Sequence, residues 1–469
     1  MLSIRQLGAR LAQSFFARQK NVDRSQRRRQ MTLEALEPRL LLSGTAAIDL
    51  TAANDMLVLN QTSGGIEWSV NGGSAATWAA PDGIVIQGFG GDDSITLNFD
   101  FAAFGALVSD ISILGGEGND SVLLTGNLAL GSKSLSADAE SIDSQAAIIG
   151  AGSVSLTAVS EDDAELVVSR SIAASGAVVL SAQAGKDVSL DSFASYAGAS
   201  SATVDVTGVG TVISGASVAI TADNAVEIVA TATANALAEL SITQNNTTSA
   251  RLSGGASVST PGALLVRATD SSTVDVTIDA VGVLGSGYSV LSSSVTLNRA
   301  TVAEIVDASV DGAETVDVQA DNAGGITARA VSGFVGVAGN AARDAATARI
   351  GGAAVGSTQA VGAVTVRAVS QGSYSANGKV ATNLLTGDTV AAIEDSHVTA
   401  ALSAAQVLAG LDAVTVEAID LLEASADTTP VLADVAALIV DVTLQAAVTR
   451  NTVNHATTAL SRSLLNRGR

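Results

Sequence analysis

The sequence predicts an all-β protein whose body is a β-solenoid, in its simplest form a parallel β-helix. Short runs of alternating apolar residues recur from Leu57 onward and are punctuated by Gly, Asn and Asp, a pattern typical of strands and turns. The 469 residues are 47% hydrophobic but only 3% aromatic. A globular core of this size normally uses more aromatic side chains, whereas stacked coils with a thin interior need fewer of them.

Two sequence frames repeat along the body. The shorter frame joins an aliphatic residue, a small link and V-x-L/I-x-A, as at 148–158, 171–182 and 212–222. The longer frame is A-x-I/L-x-x-A-x-V followed by V-x-V-x-A. Four of its aliphatic positions are taken as equivalent, with spacings of 53, 45 and 43 residues: Leu252, Ile305, Ile350 and Ile393. We attribute the irregular spacing to loops. Because one unit cannot bury both faces of its strands, the units are expected to stack.

The shorter frames resemble the repeats of filamentous-haemagglutinin-type exoproteins. Two alternatives use the same signals. An antiparallel sandwich, or a string of small β-domains, could be built from the same short strands. The alanine-rich segments 225–242 and 431–465 could instead be helical, because Ala, Leu and Glu favour helix.

Residues 1–44 differ in charge from the rest of the chain. Residues 1–43 hold nine Lys or Arg against three acids, a balance of +6, whereas the remainder has a balance of −28. A secretory signal would follow its basic region with an uninterrupted apolar core. Here the leucine-rich stretch 33–42 contains Glu34, Glu37, Pro38 and Arg39. We therefore expect a disordered or helical segment rather than a standard signal peptide.

The stretch LEALEPRLLLS within this segment resembles the LEPR-x-LL motif of very large repetitive proteins of planctomycetes and other Gram-negative bacteria. The matching positions are Leu36, Glu37, Pro38, Arg39, Leu41 and Leu42. The resemblance covers about the first 45 residues and implies membership of that family and export, without implying a reaction. The alternative is an ordinary helix end, because Pro38 would stop a helix that begins near Met31.

A second resemblance concerns calcium. The segment GGEGNDSVL at 115–123 satisfies the G-G-x-G-x-D-x-U-x nonapeptide of calcium-binding β-rolls, and a degenerate copy, GFGGDDSIT, lies at 88–96. Glycines allow positive φ angles and a carboxylate supplies a hard oxygen ligand. If the 27-residue offset is one coil, the two turns stack, and if it is three nonapeptides they lie on opposite edges. The candidate calcium ligands are Asp92, Asp93, Gly116, Gly118, Asn119 and Asp120.

Signals for other chemistry are weak. The chain has no Cys, and its two histidines, His397 and His455, have no other His or nucleophile motif near them in sequence. Acid pairs such as Asp92–Asp93 and Asp162–Asp163 are most simply solvated surface groups. The acidic body disfavours nucleic acid, which needs clustered Lys and Arg. The most apolar stretch, 431–448, is interrupted by two aspartates and is not a transmembrane segment.

These observations divide the chain into four regions: a targeting-type segment at 1–44, a β-rich region with calcium-type turns at 45–130, solenoid repeats at 131–430, and a helical cap or truncated end at 431–469. The predicted function is that of a non-enzymatic, secreted or cell-surface, adhesin-like structural protein. Extracellular polysaccharide or other surface components are its expected partners. The alternative is a β-helical carbohydrate-active enzyme that uses surface carboxylates.

Overall fold

The computed structural model describes residues 44–79, 81–105, 109–191, 195–234, 237–280, 290–331, 335–427 and 448–465. The N-terminal residues 1–43, which contain the stretch that resembles the LEPR-x-LL motif, and the stretch 428–447 lie outside these residues. The fold class predicted from the sequence is confirmed, since the described residues are nearly all strand and the long sheets are parallel. No helix among them is long and apolar enough to cross a membrane.

The first part of the chain forms short strands in narrow coils. It also contains a one-turn helix, α1 (Phe101–Phe104). The strands are β1 (Thr45–Asp49), β2 (Met56–Thr62), β3 (Gly65–Val70), β4 (Ala76–Trp78), β5 (Gly83–Gln87), β6 (Ser94–Asp100), β7 (Asp110–Leu114), β8 (Ser121–Ala129), β9 (Leu135–Ala139), β10 (Ser141–Ser144), β11 (Ala147–Ala151), β12 (Val154–Ser160), β13 (Asp163–Val168) and β14 (Ile172–Ala174).

The second part forms wider coils with longer strands, and contains a second short helix, α2 (Ala404–Leu408). The strands are β15 (Ala177–Ala184), β16 (Asp187–Leu190), β17 (Ser195–Val206), β18 (Val212–Ser214), β19 (Ser217–Asn224), β20 (Glu227–Ala234), β21 (Leu237–Leu252), β22 (Ser257–Ser259), β23 (Ala263–Asp270), β24 (Thr273–Ala280), β25 (Val290–Val306), β26 (Ser309–Asp311), β27 (Thr315–Asn322), β28 (Gly325–Val331), β29 (Val335–Gly351), β30 (Ala354–Val355), β31 (Ala363–Asn377), β32 (Val380–Val398), β33 (Val414–Asp427) and β34 (Val448–Leu465).

Parallel pairing between successive coils builds two long sheets. We call the sheet that contains β1 the first sheet and the sheet that contains β2 the second sheet. One column of aligned aliphatic residues in the first sheet counts eleven coils: Ala46, Ile84, Ile111, Leu135, Val154, Val178, Val218, Leu264, Val316, Val364 and Val414. The antiparallel-sandwich alternative is therefore wrong. The antiparallel pairings in the described residues join β2, β3 and β4.

The repeat alignment made from the sequence is confirmed residue by residue. Leu252 pairs with Ile305, Ile305 with Ile350, and Ile350 with Ile393. The possibility of helix at 225–242 is wrong, because β20 and β21 occupy that segment. Residues 448–465 are likewise a strand that pairs with β32 rather than part of a helical cap. Pairing with neighbouring coils overrides the helix propensity of alanine in these segments.

The coil widens sharply in the middle of the chain. Val154 pairs with Leu135, 19 residues earlier, whereas Leu264 pairs with Val218, 46 residues earlier. Our attribution of length variation to loops is only partly right, because the additional residues form strands. They make β16, β20, β24 and β28 and lengthen the strands of the second sheet. The wide coils enclose a second apolar core beside the first.

A buried polar layer separates these two cores. In the first sheet it consists of the aligned residues Asn224, Asp270 and Asn322, each at most 1% exposed. Facing them, the fully buried Arg299 makes two hydrogen bonds to Asp344, from Nε to Oδ1 at 2.8 Å and from Nη2 to Oδ2 at 2.9 Å. The hydroxyl of Tyr374 accepts a further bond from Arg299 at 2.8 Å. We call this arrangement the polar layer.

Candidate functional site

The two glycine-rich turns are stacked on each other. Each turn leaves a strand of the first sheet and enters a strand of the second sheet. Gln87 pairs with Leu114 before the turns, and Ser94 pairs with Ser121 after them. The 27-residue offset is therefore one coil. Asp93 and Asp120, which have equivalent places in the two motifs, lie in neighbouring coils as the one-coil interpretation predicts.

Glycine is required in the second turn for two separate reasons. Gly116 and Gly118 have φ angles of 116° and 139°, a region that residues with a Cβ rarely adopt. A Cβ on Gly118 would also lie 2.2 Å from the carbonyl oxygen of Gly91 in the preceding coil. Gly115 instead makes room for a carboxylate, because a Cβ there would lie 2.5 Å from Oδ2 of Asp120.

Four acids form a column along the solenoid axis: Asp55, Asp93, Asp120 and Glu140. The backbone N–H of each of the first three donates to the carboxylate of the acid in the next coil. The distances are 2.8 Å from Asp55 to Asp93, 2.8 Å from Asp93 to Asp120, and 2.6 Å from Asp120 to Glu140. We call this arrangement the acid column. Each carboxylate thus satisfies a turn N–H that the parallel ladder leaves without a partner.

The two middle residues of the acid column are buried. Asp93 and Asp120 are 2% and 1% exposed, and Oδ2 of each is buried without a hydrogen-bond partner. Burial is the main cause that raises the pKa of Asp93 and of Asp120 above the ordinary value for aspartate. Burial also raises the pKa of Glu140. At the end of the column, hydrogen bonds from Thr51 lower the pKa of Asp55.

The other candidate ligands lie on the outer rim of the turns. Asp92 and Asn119 are exposed, and the N–H of Asn119 donates to Oδ1 of Asp92 at 3.0 Å. Asp92 therefore links the two turns by a hydrogen bond on their exposed side, as Asp120 does on their buried side. Gly116 and Gly118 pack on the backbone of the preceding coil.

The donor set fits a calcium ion only in part. Calcium takes six to eight oxygen ligands. The two buried Oδ2 atoms are hard donors without partners, which suits a cation. Within the described residues, however, no group of three or more His, Cys, Asp or Glu side chains is placed to hold a metal ion. Any further ligands would have to be backbone carbonyl oxygens or water.

Asp55 and Glu140 belong to the column but were not predicted from the sequence. A signal for them exists. Each of the four acids stands immediately before a strand of the second sheet, in DMLVL, DSITL, DSVLL and ESIDS. The glycine motif marks only the two inner members, because the outer two lie in turns of different length.

The remaining candidate groups have ordinary surface roles. His397 is exposed, and its Nε2 lies 3.2 Å from Oγ1 of Thr399. Asp162 forms an ion pair with Lys186, and Asp163 accepts a hydrogen bond from Ser201 at 2.8 Å. For His455 the structure describes the strand alone, in register with Gly387.

Comparison with known proteins gives no relative for this chain: no protein-family model, curated protein or solved structure matches it.

Proposed function

We propose that this chain is a non-enzymatic structural protein, exported or displayed at the cell surface, whose solenoid serves as an adhesin-like scaffold. The observation that supports this most is the continuous stack of eleven coils in one register. With a spacing of about 4.8 Å between coils, the stack is roughly 48 Å long. Such a rod presents aligned rows of side chains, and many weak contacts along a row add up through avidity.

The outer face of the second sheet carries one such row. Asp205, Arg251, Glu304, Arg349 and Glu394 are aligned in successive coils, so that charge alternates along the rod. Two ion pairs are formed within the row: Arg251–Glu304 at 3.1 Å and Arg349–Glu394 at 3.3 Å. Because the charges of this row pair with each other, the row keeps the outer face of the second sheet polar without attracting a partner. The remaining faces are then left to bind extracellular polysaccharide or other surface components.

Export is tested by fractionating the cells that produce the protein and sequencing the N-terminus of the mature chain. We expect recovery outside the cytoplasm. Recovery in the cytosol alone, with Met1 intact, would contradict the export proposal. A panel of polysaccharides, incubated with the pure protein and analysed for depolymerisation, tests the enzymatic alternative. Cleavage that disappears when a single carboxylate is changed would contradict the scaffold proposal.

Calcium binding at the acid column is proposed as an accessory of this scaffold and is supported by the unpaired oxygens of Asp93 and Asp120. The test is calorimetry and thermal unfolding of the full chain in millimolar calcium. The matched control is a double variant, Asp93→Asn with Asp120→Asn. We expect heat and a higher melting temperature for the natural chain alone. No heat and no shift at millimolar calcium would remove the calcium site from the proposal.

A further inference from the structure

The place where the coil widens leaves a sheet edge open in the middle of the molecule. Among the described residues, β16 pairs with β20 but has no strand on its N-terminal side. The same holds for Ser195–Ser200 of β17, because β13 pairs with β17 only from Ser201 onward. We call these two segments, 187–190 and 195–200, the ledge. An open strand edge presents backbone N–H and C=O groups that can pair with another chain.

The ledge is also the open end of the second apolar core. Val188, Leu190 and Tyr196 are half-buried, and they pack on that core from the side that no coil covers in the described structure. Solenoids normally close such an end with a capping segment, because an exposed core end lowers solubility and stability. A segment that covers the ledge should therefore contribute apolar side chains as well as backbone pairing.

A groove on the first sheet begins beside the ledge. It has a volume of about 800 Å³, and its lining includes three small residues, Gly185, Ala225 and Ser271. The carboxylates of Glu161, Asp187 and Asp223 line it. A separate, smaller groove of about 300 Å³ lies along β20, β24 and β28, and its lining includes Glu227 and Asp275.

The groove is therefore expected to prefer ligands that carry positive charge. Its one basic lining residue, Lys186, is engaged in an ion pair with Asp162. Clefts lined by one sign of charge attract ligands of the opposite sign. No aromatic side chain lines either groove, so a flat stacking platform for a sugar ring is missing from this surface. The open edge and the carboxylates together favour an extended basic peptide with some apolar residues.

The chain itself contains a segment of that composition. Residues 1–43 carry a charge balance of +6 in a protein whose remainder is at −28. Apolar residues are interspersed with the basic ones, among them Leu7, Leu11, Phe15 and Phe16. Basic charge and apolar surface thus occur together in one segment, as the ledge and its groove require.

The tether is long enough. Gly44 precedes β1 in the first coil, and the groove begins at the end of β12 in the fifth coil. Four coil steps of about 4.8 Å and some 25 Å along the strands give a separation of roughly 30 Å. Fifteen residues, from Arg29 to Gly44, span at most about 50 Å. A tethered segment within reach has an effective concentration on the order of millimolar.

We infer that residues 1–43 dock on the ledge and its acidic groove of the same chain, and so cap the second core. The docked segment pairs with the open edge of β16 and places arginines against the groove carboxylates. This inference does not depend on the export proposal, because it concerns the chain while the segment is still attached.

Limited trypsin digestion of the full chain tests the charge contacts, because trypsin cleaves after Arg24 and Arg27–Arg29. The groove variant carries Asp187→Asn, Asp223→Asn and Glu227→Gln. Its matched control removes three exposed carboxylates from the second sheet: Glu165→Gln, Glu239→Gln and Asp388→Asn. We expect the groove variant to be cut about tenfold faster than the natural chain at low salt, and the control variant to be unchanged. Equal rates in all three proteins would overturn the inference.

Hydrogen exchange at the ledge tests the docking independently of groove folding. The variant Arg27→Ser, Arg28→Ser and Arg29→Ser changes no residue of the described coils. We expect faster amide exchange at 187–190 and 195–200 in this variant than in the natural chain. In the natural chain, the protection of these amides should be the same at all protein concentrations. Unchanged exchange would overturn the inference, and so would protection that is lost on dilution, because the segment would then come from a second copy.

Discussion

At the scale of single residues, the acid column shows a carboxylate acting as part of the backbone hydrogen-bond system. Oδ1 of Asp120 accepts the N–H of Asp93 in the preceding coil, and that N–H is buried. A turn between two parallel sheets cannot continue the ladder, so its N–H groups need a side-chain acceptor. This contact therefore links the turn before β6 to the turn before β8.

The change Asp120→Ala tests this role. It leaves the N–H of Asp93 buried without an acceptor, and we expect the free energy of unfolding to fall by about 2 kcal/mol. Urea unfolding followed by circular dichroism measures the change. The matched control is Glu117→Ala, an exposed acid of the same turn, for which we expect a change within about 0.5 kcal/mol. Equal effects of the two changes would contradict a structural role for Asp120.

The pKa shifts of the column predict a pH dependence. Because burial raises the folded-state pKa of Asp93 and Asp120, the protonated forms are favoured by folding. Their contribution to stability is complete below the pKa of the unfolded chain and is lost as the pH rises through the folded pKa. Relative to an Asp93→Asn, Asp120→Asn double variant, the natural chain should therefore gain stability in calcium-free buffer as the pH falls from neutral toward the ordinary pKa of aspartate. A series of urea unfolding curves across this range checks the sign.

The sequence predicted the centre of this site but not its extent. The glycine motif indicated Asp93 and Asp120, and the one-coil interpretation of their spacing placed them together. Asp55 and Glu140 were missed because they join the column through a turn of different sequence, and only the register shows that they are aligned. The calcium assignment rests on the motif and on the two unpaired oxygens.

At the scale of strands, the row of aligned charges on the outer face of the second sheet helps to keep its long strands in one register. A slip of one residue would reverse the inner and outer faces of β25 and β29. It would also move Arg349 away from its place between Glu304 and Glu394. Register is therefore fixed by the buried column and supported by the charged row outside.

The change Arg349→Glu tests the charged row. It places three carboxylates in adjacent coils, and we expect a loss of about 1 kcal/mol in the free energy of unfolding at low salt. The loss should shrink in 1 M NaCl, since exposed charges are screened. The control is Arg329→Glu, whose register neighbours Thr277 and Asn377 are uncharged. A loss that does not respond to salt would contradict the electrostatic explanation.

The sequence also established which strands are equivalent, but not how wide a coil is. Aliphatic spacing identified Leu252, Ile305 and Ile350 correctly because a buried column requires an aliphatic residue once per coil. Whether the residues between them form loops or strands depends on pairing with the next coil, which no local pattern records. The same dependence turned the alanine-rich segment 225–242 into strands.

At the scale of the whole molecule, the polar layer lies between the two apolar cores and links neighbouring coils by buried hydrogen bonds. Arg299, Asp344 and Tyr374 come from three consecutive coils and are buried together. Burial disfavours the charged guanidinium, but Asp344 and Tyr374 more than compensate, so the pKa of Arg299 lies above its ordinary value. The guanidinium of Arg299 is therefore held in its charged form.

The change Arg299→Met tests the polar layer. It leaves the carboxylate of Asp344 buried without the guanidinium, and we expect a loss of about 3 to 5 kcal/mol in the free energy of unfolding. The double variant Arg299→Met with Asp344→Leu removes both charges and should recover most of that loss. Arg251→Met, at an exposed position of the preceding strand, is the control. A double variant as unstable as Arg299→Met would contradict this explanation. The loss would then come from removing the ion pair itself and not from leaving the Asp344 carboxylate without its guanidinium.

The change in coil width has a mechanical consequence. A rod resists bending in proportion to a high power of its cross-section, so stiffness is not uniform along this molecule. The coils between Leu135 and Val178 repeat after 19 and 24 residues and enclose one core, whereas those beyond Val218 repeat after about twice as many and enclose two. Under a load applied at its two ends, the molecule is therefore expected to bend at the narrow coils between Leu135 and Val178. The wide coils beyond Val218 should move as one rigid unit.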